Sequence, residues 1–227
     1  MISRITKLLL QTIVTFLLFA LALFIPAGSS RWLNGWIFLI LFFGWFTLVN
    51  LWLLKHNPGL LEERFTLGRS DQKGWDKILF PFLLILSLAW LVFISLDATH
   101  FHWSPVPSWL ELIGGIIMVC SFILIFLTFR ENSYLSTVVR VQQDRGHAVV
   151  STGVYHYVRH PMYSSFILFF FGASLLLGSW YGVLFGVVYM IVLARRAVLE
   201  ELTLQKELTG YEEYMTKVKY RIIPFVW

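Results

Sequence analysis

One short segment combines a cation, an imidazole and a proline: Arg159, His160 and Pro161 are consecutive, and Met162 and Tyr163 follow. Proline biases the preceding residue towards an extended backbone and is itself well suited to the first turn of a helix. We therefore expect Arg159 and His160 to lie beside a helix N-terminus, where an anionic group such as a carboxylate is favoured. The alternative is that the pair anchors a helix by reaching lipid phosphates.

A second group of charges follows the last apolar run of the chain. Arg196 and Glu200 are four residues apart, so on an α-helix their side chains share one face, and Arg195 and Glu201 lie elsewhere around the turn. As a surface pair they would contribute only about 0.2–0.5 kcal/mol. Ionisable groups at the end of a membrane helix are costly unless they are hydrated or used, so a ligand site is the alternative.

Other patterns that carry chemistry do not occur in the sequence, which has no Gly-x-Gly-x-x-Gly, no P-loop and no His-Glu-x-x-His. The six histidines are too few, and wrongly spaced, for a histidine-box di-iron site. His156 and His160 lie four apart, but Pro161 breaks the helix that would align them, and His100 and His102 are interpreted as hydrated loop residues. We therefore expect no metal.

The elements that must position these groups are membrane helices. Hydrophobic residues make up 58% of the 227, charged residues 14%, and the mean hydropathy is +0.72; a soluble domain carries nearer a quarter charged residues. Crossing the hydrocarbon core takes roughly 20 apolar residues. The apolar runs that predict about six such helices are residues 8–27, 36–54, 78–96, 109–129, 163–177 and 181–194.

The distribution of basic residues predicts how the helices are oriented. If six helices alternate in direction, every lysine and arginine except Arg31 falls on one side, including Arg69 and the C-terminal tail. Basic loops face the cytoplasm, so we expect cytoplasmic N- and C-termini. The net charge of +5 therefore reflects membrane topology, and we expect no nucleic-acid partner. The single cysteine, Cys120, can form no internal disulfide. The lack of a disulfide pattern or targeting tail fits a bacterial inner membrane, with the endoplasmic reticulum as the alternative.

The sequence therefore predicts an all-α polytopic membrane bundle, a single membrane domain with two regions. Residues 1–129 would form four transmembrane helices, and residues 130–227 a helical hairpin with a cytoplasmic ligand pocket. After Glu201, apolar residues from Leu202 to Val218 alternate with charged ones, which predicts an amphipathic helix at the membrane interface that ends before Pro224.

Residues 146–163, with the Glu200-Glu201 pair and the Gly210 to Pro224 segment, resemble isoprenylcysteine carboxyl methyltransferases and related phospholipid methyltransferases. The resemblance is close from residue 140 to 227, and residues 57–64 are similar to a cytoplasmic loop of bacterial members. It implies S-adenosylmethionine as the methyl donor, held beneath a tunnel that leads to the lipid. It also implies that Arg196 lies near the methyl acceptor and that either glutamate of the pair contacts the donor. The residues that the resemblance places around the donor are Gln142, His147, Ala148, Val149, Val150, Tyr155, His160, Pro161, Met162, Tyr163, Glu200 and Glu201.

The predicted function is therefore an S-adenosylmethionine-dependent methyltransferase acting on a lipophilic small molecule or a lipid-anchored substrate, with membrane lipid around it. An isoprenylcysteine carboxylate, a phospholipid amine, an isoprenoid or a hydrophobic thiol could be the acceptor. One alternative is an NADPH-dependent membrane reductase of the sterol-reductase type, although a 2′-phosphate would need more arginines than this loop offers. The other is a scaffold or transporter without catalytic activity.

Overall fold

The computed structural model describes residues 2–66 and 70–227, and Arg69, which was counted among the basic residues above, lies outside them. Within the described residues the regular structure consists of eight α-helices and three short turns of π- or 3-10 helix. A π-helical segment, Leu96–Phe101, continues α4. The α-helices are α1 (Ile2–Ala27), α2 (Leu33–His56), α3 (Pro58–Phe65), α4 (Asp76–Ser95), α5 (Ser108–Glu131), α6 (Pro161–Leu176), α7 (Trp180–Glu207) and α8 (Tyr211–Lys217).

Apolar helices occupy all six predicted positions, which confirms the all-α membrane bundle. Five of them are long and apolar enough to cross a membrane: Ile5–Ala27, Leu33–His56, Asp76–Phe101, Ser108–Glu131 and Trp180–Glu207. At about 1.5 Å per residue, the 16 residues of α6 extend about 24 Å, against a hydrocarbon core of about 30 Å. This helix is mostly buried among its neighbours, and it is preceded by the long polar loop that joins it to α5.

The close contact of α5 with α6 depends on two glycines. A Cβ atom built on Gly172 would lie 2.6 Å from the backbone nitrogen of Met118 and 2.8 Å from the carbonyl oxygen of Gly114. A Cβ on Gly114 would lie 2.5 Å from the backbone nitrogen of Leu176. Small residues that let two backbones approach in this way are common in membrane helix interfaces. The two helices therefore form the rigid unit from which the loop between them emerges.

The predicted hairpin is formed by α6 and α7, with a tight turn at Gly178 and Ser179. Gly178 has a positive φ of 86°, and the Ser179 hydroxyl caps α7 by accepting a hydrogen bond from the Gly182 amide at 2.8 Å. Ser179 also donates to Asp97, which is 1% exposed in the π-helical segment after α4. With 28 residues, α7 extends well beyond the start of α6, so its second half carries the charges from Arg196 onward.

The amphipathic segment after Glu201 is helical, but it is not one helix. It breaks after Glu207, where Gly210 takes a left-handed conformation with φ 85°, and α8 follows for seven residues. The apolar positions of this segment form a small cluster comprising Leu208, Tyr211, Tyr214 and Val218. The helix ends at Lys217, earlier than Pro224 would require, because the chain then turns back to pair with the loop before α6.

Candidate functional site

A cavity of about 350 Å³ lies at one end of the bundle. The start of α4, the loop between α5 and α6, the first turns of α6, the second half of α7 and helix α8 all contribute to its wall. Sites for cofactors and small ligands have volumes of roughly 300–1,000 Å³ and are mostly apolar with a few placed polar groups. The size and lining of this cavity fit that description.

The cavity brings together most of the residues that the sequence suggested. Arg196 lines it, and so do residues from the loop, from the start of α6 and from α7. Two of the thirteen predicted residues, Gln142 and Glu201, do not line it. Those that do, besides Arg196, are His147, Ala148, Val149, Val150, Tyr155, His160, Pro161, Met162, Tyr163 and Glu200.

Gln142 lies behind the cavity wall. It is fully buried, its amide nitrogen donates to the carbonyl oxygen of Tyr134, and its amide oxygen accepts from the Arg145 guanidinium. Its backbone nitrogen also donates to Nδ1 of His147 at 3.3 Å. Both ends of the Gln142 side chain are therefore engaged within the loop, and its role in this structure is to fix the loop that carries His147.

The two neighbouring glutamates have different environments. Glu201 is 2% exposed, and its carboxylate accepts hydrogen bonds from Arg159 at 2.6 Å and from Arg221 at 2.7 Å. The Nε2 atom of His160 lies 3.2 Å from the same carboxylate. Glu201 thus joins α7 to the start of α6 and to the C-terminal tail. Glu200 faces the cavity instead, retains 26% exposure of its side chain, and accepts from the Tyr163 hydroxyl at 2.7 Å.

A buried carboxylate on α4 holds Arg196. The Asp76 side chain has no exposed surface and accepts from Nε of Arg196 at 2.9 Å, from the Val139 amide at 2.8 Å and from Gln72 at 3.0 Å. The two terminal nitrogens of Arg196 donate to the Tyr163 hydroxyl at 3.1 Å and to the Thr137 carbonyl at 2.9 Å. Three of the five N–H donors of the guanidinium therefore have partners among these residues.

Tyr163 links the Arg196 guanidinium to the Glu200 carboxylate. Its hydroxyl accepts from Arg196 and donates to Glu200, so Asp76, Arg196, Tyr163 and Glu200 form one chain of hydrogen bonds along the cavity. The ring of Tyr163 also stacks on that of His160, with 5.3 Å between centroids and an interplanar angle of 7°. Arg196, Tyr163, Glu200 and His160 are therefore fixed relative to one another without a ligand.

The loop between α5 and α6 is anchored by a buried cation. Arg140 is 6% exposed and binds Glu63 of α3 at 3.0 and 3.2 Å, and it also contacts Asp71 and Asp144. Because one arginine connects several carboxylates from different segments, it fixes the loop against α3. Arg140 is held by these carboxylates, so the cluster serves to shape one wall of the cavity.

Two aromatic groups of the loop present uncharged surfaces to the cavity. The ring of His147 stacks on that of Tyr134 with 4.5 Å between centroids. Burial and the nearby charges of Arg140 and Arg145 lower the pKa of His147 to about 4, so this ring is neutral at pH 7. Burial likewise raises the pKa of Tyr155, whose hydroxyl accepts from Asn132 at 2.9 Å. Neutral rings of this kind suit the face of a nucleobase.

Two buried hydroxyls, those of Thr137 and Tyr211, find no hydrogen-bond partner among the described residues. Both residues line the cavity. Buried polar groups are nearly always paired in folded proteins, and the exceptions call for an explanation such as a ligand. The donor set of the cavity, with unpaired hydroxyls, a carboxylate, a histidine and neutral rings, fits a polar nucleoside derivative such as S-adenosylmethionine.

Sequence reasoning missed several residues of this site. Asp76 was not singled out, and the signal that could have found it was an acidic residue at the start of a membrane helix. Tyr134 and Thr137 lie in a polar stretch with no pattern of its own. Tyr211 lies within the C-terminal segment of the resemblance, but no role was predicted for it there.

The bundle and its cavity define a polytopic membrane protein with a ligand pocket at one end. Residues 109–209, from the start of α5 to the turn before α8, match the family model described as phospholipid methyltransferase. A stretch of 85 residues is 34% identical to the protein-S-isoprenylcysteine O-methyltransferase of Schizosaccharomyces pombe. This alignment covers 37% of the present chain and 36% of that protein. The matched part of the chain is therefore similar to isoprenylcysteine and phospholipid methyltransferases.

Proposed function

We propose that this protein is an integral membrane methyltransferase that transfers the methyl group of S-adenosylmethionine to a lipophilic acceptor. The main support is that residues from different segments, from His147 in the loop to Glu200 on α7, line one cavity of about 350 Å³. The family match of residues 109–209 supports the same reaction. When bound, S-adenosylmethionine supplies a methyl group on a sulfonium, and the acceptor bonds to that carbon as the S–CH₃ bond breaks.

We assign the binding of the donor to the part of the cavity formed by α6, α7 and the loop. The Glu200 carboxylate suits the ammonium group or the ribose diol of the donor. The N-terminus of α6, with His160, suits its carboxylate. The neutral rings of Tyr155 and His147 suit the adenine. We assign this role to Glu200 rather than Glu201, because Arg159 and Arg221 already pair with the carboxylate of Glu201 and His160 lies 3.2 Å from it.

We assign the acceptor to the part of the cavity near Arg196. The guanidinium has two N–H donors beyond those bound by Asp76, Tyr163 and Thr137, and these can orient a polar acceptor group. Phe80 and Leu83 of α4 and Phe166 of α6 supply apolar surface beside it. A lipophilic molecule whose polar head reaches Arg196 and whose apolar part lies along these side chains fits this arrangement. The chain would act mainly by positioning the two reactants and by excluding water.

The same proposal covers the arrangement in the membrane. We place the N- and C-termini and the cavity on the cytoplasmic side, since basic residues dominate that side in the sequence. We propose a bacterial inner membrane from the resemblance of residues 57–64 to bacterial members. The region 130–227 would supply most of the donor site, and helices α1 to α5 the membrane frame, with α4 contributing the acceptor wall.

Calorimetric titration of S-adenosylhomocysteine and, separately, of NADPH into detergent-purified protein tests the proposal. Binding of S-adenosylhomocysteine without binding of NADPH is the expected result. Binding of NADPH alone would contradict it and move the protein to the reductase class. If folded protein binds neither, the scaffold or transporter interpretation becomes the one to pursue.

A further inference from the structure

The side chain of Tyr211 is the most deeply buried polar group on the cavity wall without an internal role. The residue is 4% exposed and lines the cavity. Its hydroxyl has no hydrogen-bond partner among residues 2–66 and 70–227. A buried hydroxyl without a partner loses its hydration and gains nothing in return, which destabilises the folded state. Packing explains the burial of the ring, but the buried hydroxyl needs a reason other than folding.

The hydroxyl groups of three other tyrosines around the cavity form hydrogen bonds within the protein. The Tyr214 hydroxyl donates to the carbonyl oxygen of Tyr155 at 2.7 Å, and the Tyr134 hydroxyl donates to that of Gly146 at 2.9 Å. Tyr163 bridges Arg196 and Glu200. Each of these hydroxyls ties two segments of the protein together. The Tyr211 hydroxyl ties none, although the residue lies on the same helix as Tyr214.

The position of Tyr211 is fixed by its ring and backbone. Gly210, with φ 85°, turns the chain so that α8 begins at Tyr211. The ring packs in one cluster with Leu208 and Tyr214, and Val149 packs against this cluster. Because Val149 belongs to the loop assigned above to the donor, the ring of Tyr211 lies where α8 meets that loop. Its hydroxyl is thus held in place before any ligand binds, which lowers the entropy cost of a contact.

We infer that Tyr211 is a further donor-binding residue, whose hydroxyl forms a hydrogen bond with a polar group of S-adenosylmethionine or S-adenosylhomocysteine. This inference rests on the proposed function, because it takes the donor assigned to the cavity as the ligand. A phenolic hydroxyl both donates and accepts, so it can pair with a ribose hydroxyl, a carboxylate oxygen or a ring nitrogen. The contact would give the hydroxyl the partner that the folded chain does not provide.

The Tyr211→Phe variant provides the test, because it removes the hydroxyl and keeps the ring. Affinity for S-adenosylhomocysteine is measured by calorimetric titration, and the melting temperature is measured without ligand. We expect the dissociation constant to rise about three- to tenfold, as for the loss of one hydrogen bond. We expect the melting temperature to stay the same or to rise, because the removed hydroxyl was unpaired. Opposite effects on binding and stability are the signature of a ligand-facing group.

Tyr214→Phe is the matched control on the same helix. It removes a hydrogen bond that exists without ligand, so its melting temperature should fall. The inference is overturned if Tyr211→Phe binds S-adenosylhomocysteine as tightly as the wild type, or if its melting temperature falls as far as that of Tyr214→Phe. If the wild type does not bind S-adenosylhomocysteine, the proposed function fails and the inference with it. Failure of the inference alone requires a wild type that binds.

Discussion

Replacing each of the two adjacent glutamates by glutamine should separate ligand binding from folding. The substitutions Glu200→Gln and Glu201→Gln are chemically identical and lie one residue apart on α7. Glutamine keeps the shape of the side chain and removes its charge. The structure nevertheless predicts that the first variant mainly loses affinity for the donor and that the second mainly loses stability.

The expected loss of stability in Glu201→Gln follows from its partners. The carboxylate is 2% exposed and accepts from Arg159 and Arg221, with His160 also within 3.2 Å. Removing one member of a buried ion pair leaves uncompensated buried charge and costs about 3–5 kcal/mol. For a chain of this size, about 1 kcal/mol corresponds to a change of about 2–4 °C in melting temperature. We therefore expect the melting temperature to fall by about 6–20 °C.

The expected loss of affinity in Glu200→Gln follows from its place on the cavity wall. The side chain is partly exposed, and glutamine can still accept the hydrogen bond from Tyr163. The folded state therefore loses little. A hydrogen bond to a charged group contributes about 1.5–3 kcal/mol, so binding of S-adenosylhomocysteine should weaken about ten- to a hundredfold.

The assay combines calorimetric titration of S-adenosylhomocysteine with thermal unfolding of the unliganded protein in the same detergent. Glu207→Gln serves as the control, because Glu207 lies on the same helix, pairs with Lys73 near the surface and does not line the cavity. It should change neither quantity by much, since exposed ion pairs contribute less than about 1 kcal/mol. The reasoning is refuted if Glu200→Gln is the unstable variant, or if Glu201→Gln alone loses affinity while its melting temperature is unchanged.

Three further predictions concern the frame of the site. Asp76→Asn should lower the melting temperature, because breaking the buried pair with Arg196 costs about 3–5 kcal/mol of stability. Its affinity for S-adenosylhomocysteine should change less than that of Glu200→Gln, and an unchanged melting temperature would contradict the prediction. Gly172→Ala should destabilise the protein by about 1–3 kcal/mol in thermal unfolding, because its Cβ would meet the α5 backbone. The control Gly115→Ala should be tolerated, because its Cβ would meet only Leu176 at 3.6 Å. The pKa of His147 is lowered to about 4 from an ordinary value of 6.5, so as the pH falls the imidazole is protonated in the unfolded chain before it is protonated in the folded protein. The difference in stability between the wild type and His147→Asn should therefore be constant above pH 6.5 and shift against the wild type as the pH falls towards 4. A difference that does not vary with pH would refute this prediction.

The sequence determined the membrane frame and part of the candidate site. Long apolar runs can bury their backbone polar groups in a membrane only as helices, so their number and positions could be read directly. Proline at position 161 predicted where α6 begins, and the structure has it as the first residue of that helix. The spacing of Arg196 and Glu200 predicted a shared face, and both line the cavity. Each of these inferences depends on local geometry, which follows from residues that are close together in the sequence.

Tertiary structure alone decided what each charge does. Glu200 and Glu201 are equivalent in sequence, and only the arrival of Arg159 and Arg221 from distant segments makes one of them structural and leaves the other facing the cavity. The contact of Asp76 with Arg196 joins residues 120 positions apart, and no local pattern predicts such a pair. Whether the Tyr211 hydroxyl finds a hydrogen-bond partner likewise depends on the groups that the fold packs around it. Contacts between distant segments, rather than helix periodicity, therefore determine which groups remain available to a ligand.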